Sequence, residues 1–417
     1  MVIAIQTGNT LLSLIFYPII SGSIVLYSII GSEAYGAGKH NLFGTYLTRC
    51  KLFGYSITLV FLVLYLICSN QITQLFHLTY VQSSYVMSFF ASRGFSLFFE
   101  LELGLLLVYF QIISKGFTVS IILLVSSAMF PLYSYIFISF ADWGLFGAGF
   151  TILAFNASLL LIFSFYLFLL GKNDNHIFPI NNFTFMNLID ILKIFLPITF
   201  MNFVDNLSYE TMTLFAFPFD KNQYSAYIIV MSIVMIIYSI ANAFQVSANV
   251  LVSSYLGNNS PIKAKKISLY ILFLGNVMGI FVCIITYILK SYLIKLIETD
   301  NRIADIANNI FIWQLVNIYL EISCSIFYGI FISVNKFNIV MLLYIFFEVL
   351  SILGILVMVK VVVKGVESVF IGGICARIIM LIVYFLVFTL LIDWKECTHN
   401  IQTSIDKEHL ESEGGEK

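Results

Sequence analysis

An all-α polytopic membrane protein is the fold class the sequence predicts, and three observations predict it. The 417-residue chain is 60% hydrophobic and only 10% charged, more apolar surface than a soluble domain of this length could bury. Its apolar residues gather into runs of about 18 residues or more, long enough at ~1.5 Å per residue to cross a bilayer. Short polar loops separate the runs. The remaining composition is exclusionary. With a net charge of −1 and no basic run, nucleic acid is not an expected partner. Six cysteines (Cys50, Cys68, Cys283, Cys324, Cys375, Cys397) show no CxxC or metal spacing and read as small apolar fillers. No metal or other cofactor is expected.

Taken in order, the runs give about eleven spans, near 3–30, 44–68, 84–111, 117–140, 145–170, 188–217, 223–254, 267–290, 306–333, 339–359 and 366–393. They form an N-terminal helical bundle over 1–170 (five spans) and a C-terminal bundle over 188–394 (six spans). The polar stretch 171–187 is the expected linker, and the hydrophilic tail 395–417 is expected to be disordered. Alternate loops carry Lys39, Arg49 and Lys51, then Lys115, Lys172, Lys263, Lys265, Lys266 and Lys336. By the positive-inside rule those loops, the linker and the C-terminus face the cytoplasm. No cleavable signal peptide is expected, since residues 1–30 lack a basic n-region and are too long for an h-region.

The two bundles repeat. Gly36 and Gly257, Lys115 and Lys336, and Gly144 and Gly365 each follow or open a corresponding span, all at an offset of 221 residues. One offset between spans of like orientation indicates parallel repeats. The repeat gives the second bundle one more span than the first, so a first helix is expected to be missing from this sequence.

Charge inside the spans is the main functional signal. Asp205 and Glu210 follow Pro197 in an apolar helix, where an ionised carboxylate is costly unless paired or solvated in a cavity. Five residues turn a helix by about 500°, so their side chains point roughly 140° apart. Asp205 shares a face with Asn202 and Tyr209, and Glu210 shares one with Asn206. Glu321 sits mid-span in a helix of opposite direction and can meet Asp205 in depth. Glu348 is a further candidate to line a cavity, and Arg377 could neutralise a buried acid. Glu100 and Glu102, two turns after Arg93, read equally as a structural ion pair or as a site. Gln111 reads as a loop-facing amide, Glu33 as a solvated helix end, and Tyr209 and Tyr319 as possible cation–π partners.

Several segments resemble the multidrug and toxic compound extrusion (MATE) family. Gly31-Ser-Glu-Ala-Tyr-Gly-Ala-Gly38 resembles its S-Q-A-Y-G-A-G signature, with Glu33 in place of Gln. Leu196-Pro197, Asp205 and Ser208-Tyr209-Glu210 resemble the L-P-x7-E-W-W-S-Y-E segment of eukaryotic members. Glu321 followed by Tyr328-Gly329 resembles its F-E-x7-G pattern. Leu251-Val-Ser-Ser254 departs from the usual R-V-G-N. The resemblance implies two six-helix bundles and a non-enzymatic secondary transporter. It would expel organic cations by antiport against protons or sodium ions through alternating access, with Asp205, Glu210 and Glu321 as the substrate and proton sites and Gln111 at a family polar position. A monomer in the plasma membrane or an internal vacuolar membrane is expected. A lipid-linked oligosaccharide flippase of the same superfamily and a non-transporting truncated remnant are the rival readings. A membrane-embedded enzyme is disfavoured because no intramembrane His or paired metal motif is present.

Overall fold

A computed structural model describes residues 10, 12–75, 80–170, 188–362 and 365–414. Among them every regular element is helical, as a lipid-embedded backbone requires. Ten helices are long and apolar enough to cross a membrane: Leu12–Gly36, His40–Cys68, Ser83–Ile112, Gly116–Phe140, Gly144–Leu170, Lys221–Gly257, Pro261–Ile297, Asn301–Ser333, Phe337–Val361 and Glu367–Leu390. They coincide in order with ten of the eleven expected spans. The other, 188–217, forms the 29-residue helix Leu188–Ala216 with Pro197 inside it. Its charges Asp190, Lys193, Asp205 and Glu210 leave it outside the ten.

The helices are α1 (Tyr17–Gly36, entered by a π-helical turn Leu12–Phe16), α2 (His40–Leu75), α3 (Tyr80–Ile112), α4 (Gly116–Ser127), α5 (Phe130–Ser134), α6 (Gly144–Leu170), α7 (Leu188–Ala216), α8 (Lys221–Gly257), α9 (Pro261–Ile297), α10 (Asn301–Ser333), α11 (Phe337–Val357), α12 (Glu367–Leu390) and α13 (Trp394–Gly414). Local chemistry sets several boundaries. Asp220 and Asp300 cap α8 and α10 by accepting from the backbone N–H of Asn222 (3.2 Å) and Arg302 (2.9 Å). Pro261 occupies the first turn of α9, where its missing N–H costs nothing.

The chain packs as two compact units, residues 1–203 with 407–417, and residues 204–406. The sequence reading divided the chain at 171–187, a segment outside the described residues. The division falls instead within α7, between Phe203 and Val204, because a continuous helix can pack its two halves separately.

In the first unit, α1 packs on α2 and α3, and α3 on α6. A stack of Tyr27, Phe43 and Tyr109 (centroids 5.9 and 5.2 Å apart) fills the space between α1, α2 and α3. In the second unit, α10 is the central helix, packed on α8, α9 and α12, while α11 pairs with α12. Gly329 lets α10 approach α8, since a Cβ there would lie 2.6 Å from the Gln245 carbonyl oxygen. Gly354 and Gly372 do the same for α11 and α12.

The repeat is visible in the backbone. The starts of α2 and α9, the whole extents of α3 and α10, and the starts of α4 and α11 are each 221 residues apart. So are the left-handed residues that close the corresponding turns: Gly38 and Asn259 (φ 73° and 48°), and Ser114 and Asn335 (φ 61° and 59°). Asn is the non-glycine residue best suited to that conformation.

The tail corrects the expectation of disorder: Trp394–Gly414 is helical. Asp393 caps it by accepting from the N–H of Lys395 (2.9 Å) and Glu396 (3.3 Å). Trp394, Cys397, Thr398, Ile401 and Ile405 form one buried stripe at helical spacing. The Gln402 amide donates to the carbonyl oxygens of Leu256 (3.1 Å) and Gly257, at the end of α8. Within the first unit, Glu408 accepts from Arg49 and Tyr46, each at 3.0 Å.

The α11–α12 contact gives a direct check. Gly372→Val places a side chain against the Ile355 backbone and should cost about 1–3 kcal/mol, read as a lower melting temperature in detergent. Gly116→Ala, whose added Cβ would have its nearest neighbour at 3.5 Å, should leave it unchanged.

Candidate functional site

Helix α7 carries Asp205 into the second unit, half-buried. Its Oδ1 accepts from the Tyr344 hydroxyl (2.7 Å) and its Oδ2 from the Tyr238 hydroxyl (2.9 Å). One turn further along α7, Ser208 donates to Oε2 of Glu348 (2.5 Å), which itself lies one turn after Tyr344 on α11. Two rungs, Asp205–Tyr344 and Ser208–Glu348, therefore join α7 to α11 in register. On α10, Glu321 accepts from Nε of Arg377 of α12 at 2.5 Å. Arg377 also donates through Nη1 to Asn317 (2.7 Å), and Asn317 to Gln314 (3.1 Å).

Glu321, Glu348 and Arg377 are 8%, 6% and 6% exposed. The charges of Glu321 and Arg377 act on both Asp205 and Glu348, so the four groups form one electrostatic cluster. Three carboxylates face one guanidinium. With all ionised the cluster holds two excess negative charges, a large penalty at low dielectric unless protons or cations neutralise them. Tyrosine and serine hydroxyls suit such a site, because they donate to a carboxylate and accept from a carboxylic acid. Tyr209 packs edge-on to Tyr238 (centroids 5.4 Å apart).

Other expected site residues are dispersed. Glu210, half-buried, interacts electrostatically with Tyr227, whose hydroxyl lies 3.4 Å from that of Thr213. Asn206 is half-buried in the second unit; Asn202, also half-buried, belongs to the first. Tyr319 donates to Asn276 (3.0 Å). In the first unit, Glu100 pairs with Arg93 (2.7 Å) and accepts from Asn156 (3.0 Å). Glu102 is engaged by Lys51 and Tyr55, beside a cavity of about 490 Å³ walled by Leu59, Phe98, Phe99 and Leu160. Gln111 is exposed at the end of α3. Glu33, read as solvated, is instead 6% exposed, buried within electrostatic reach of Tyr46 as α1 packs on α2.

Sequence reasoning missed Tyr238 and Tyr344, and met Ser208 only as a motif residue without a role. Only the position of Tyr344 one turn before Glu348 could have signalled a partnership. The other two are ordinary members of a chain with 24 tyrosines and many helical serines.

Residues 197–357 match the MatE family model, a span holding every group of the cluster except Arg377. No curated protein matches the chain in sequence. Solved structures match nearly all of its fold. One is an outward-facing multidrug resistance MATE family transporter of the MOP superfamily (15% identity, TM-score 0.82, 97% of this chain and 88% of that one). Others are the Vibrio cholerae MATE transporter VcmN, as a point mutant (13%, 0.84, 95% and 90%), and the eukaryotic MATE transporter AtDTX14 (15%, 0.82, 96% and 90%). The structural matches show a multi-pass helical membrane protein with the fold of MATE transporters. The segment similar to the MatE model, residues 197–357, lies within that fold.

Removing one donor from Asp205 tests the cluster. Tyr344→Phe should destabilise the protein by about 1.5–3 kcal/mol at neutral pH, because the lost bond is to a charged group. Tyr319→Phe, which loses a neutral bond to Asn276, should cost about 0.5–1.5 kcal/mol. Thermal melts of the two variants give the comparison.

Proposed function

We propose that this chain is a secondary active transporter that expels organic cations in exchange for protons or sodium ions. The observation that carries the reading is the acid excess around Asp205: three buried or half-buried carboxylates, one guanidinium, and hydroxyl donors rather than cations on Asp205 and Glu348. Such a site gains from binding positive charge and releases a proton when a cation takes its place. Exposing it alternately to the two sides of the membrane would couple the two fluxes. Asp205 is the central group, with Glu210, Glu321 and Glu348 as further acids and Tyr209 placed to offer a ring face. The lysine-rich loops support a cytoplasmic C-terminus. A flippase would need cationic groups for a pyrophosphate, and the guanidinium of this cluster is already engaged by Glu321 and Asn317.

Inverted vesicles carrying the protein should take up a cationic dye when a pH gradient is imposed, and Asp205→Asn should reduce the rate at least tenfold. Uptake by Asp205→Asn at the parental rate would refute the assignment. A sodium gradient in place of the pH gradient decides the coupling ion.

A further inference from the structure

The 221-residue offset reaches beyond the loops into the polar interior. It maps Tyr17, Arg93, Ser96, Glu100 and Asn156 of the first unit onto Tyr238, Gln314, Asn317, Glu321 and Arg377 of the second. In each unit the glutamate lies on the long third helix of the repeat and receives a guanidinium. In the first unit that guanidinium comes from the same helix, two turns earlier: Arg93 meets Glu100 at 2.7 Å and donates to Tyr17 at 2.7 Å. The amide of Asn156, on α6, donates to the same carboxylate. In the second unit the guanidinium comes from the last helix of the repeat, where Arg377 meets Glu321 at 2.5 Å. The amide, Gln314, now stands two turns before the glutamate and is reached through Asn317. Arginine and amide have exchanged places around an equivalent glutamate.

An exchange of this kind identifies what the interior requires. A buried carboxylate needs a positive partner, and either of two helices can supply it. The second unit differs in its surplus, Asp205 and Glu348; position 127, the counterpart of Glu348, is a serine. We infer that Glu321 and Arg377 are a positioning pair, the counterpart of Glu100 and Arg93, whose charges stay together throughout the exchange cycle, leaving Asp205 and Glu348 as the exchanging acids. Asp205 and Glu348 can gain a proton or a cation by turning the hydroxyls of Tyr238, Tyr344 and Ser208. For Glu321 the same step would strand the Arg377 guanidinium in a buried site. The functional half of this inference rests on the transporter reading; the structural half does not.

The test compares five variants of the full chain. Arg377→Asn leaves Glu321 without its cation and should lower the melting temperature by roughly 5–10 °C. Gln314→Arg with Arg377→Asn moves the cation to the place it holds in the first unit and should restore most of that loss. Met231 abuts Gln314, so the transposition is also made with Met231→Thr, matching Thr10 of the first unit. Glu321→Gln with Arg377→Asn removes both charges and should melt near the parental temperature, well above Arg377→Asn alone, while Glu348→Gln loses transport as Asp205→Asn does. Two results overturn the inference: both transposed variants and the charge-free pair melting no higher than Arg377→Asn, or Glu348→Gln transporting at the parental rate. Failure of the parental protein to transport any cation would reject the transporter reading, and the melting series would still decide the pairing.

Discussion

A charge taken out of water must be met by another charge or by oriented dipoles, and that requirement organises this molecule. Among the described residues, Arg49 with Glu408, Lys51 with Glu102, Arg93 with Glu100 and Arg377 with Glu321 are ion pairs of buried or nearly buried groups. All but the Arg93–Glu100 pair, which lies within one helix, tie together helices that the apolar pattern alone would let slide, since one greasy helix face fits against another in many registers. Two acids of the cluster stand outside this scheme. Asp205 and Glu348 are held by hydroxyls alone. The distinction between acids locked by cations and acids cushioned by hydroxyls separates what holds the fold from what could change state within it.

Much of the architecture was legible because a bilayer admits few backbone solutions. Apolar runs located ten of the helices, most of them within a few residues, and the Gly-Ala-Gly and Leu-Gly-Asn-Asn turns marked the repeat because a tight helix connection needs a residue able to turn left-handed. Asp205 was conspicuous through its cost in an apolar helix. The cluster around it was not. Which carboxylate Arg377 would choose depends on how α10 and α12 are rotated about their axes, and a single sequence does not contain that angle. Tyr238 and Tyr344 were invisible for a different reason: a phenol is amphipathic and sits as readily against lipid as against an acid.

The tail shows a weakness of composition as a guide. Its mean hydropathy is low, which suggested disorder, yet a single stripe of five positions suffices to dock a capped helix on a body that already exists. The division inside α7 is similar, since a polar loop is the easiest place to imagine a boundary but a long helix can contribute its ends to different packing groups. Both features lie in the spatial neighbourhood of a segment rather than in the segment itself.

The docked C-terminal helix has a consequence for how the protein is made. Gln402 reaches the carbonyls that end α8, a separation of 146 residues from Leu256, and Glu408 reaches Arg49 across 359. A chain emerging from the ribosome therefore inserts α2, with the guanidinium of Arg49, long before the carboxylate of Glu408 exists. These contacts wait for α13 to be synthesised. Insertion of α2 and the making of its ion pair with α13 are thus separate events in time.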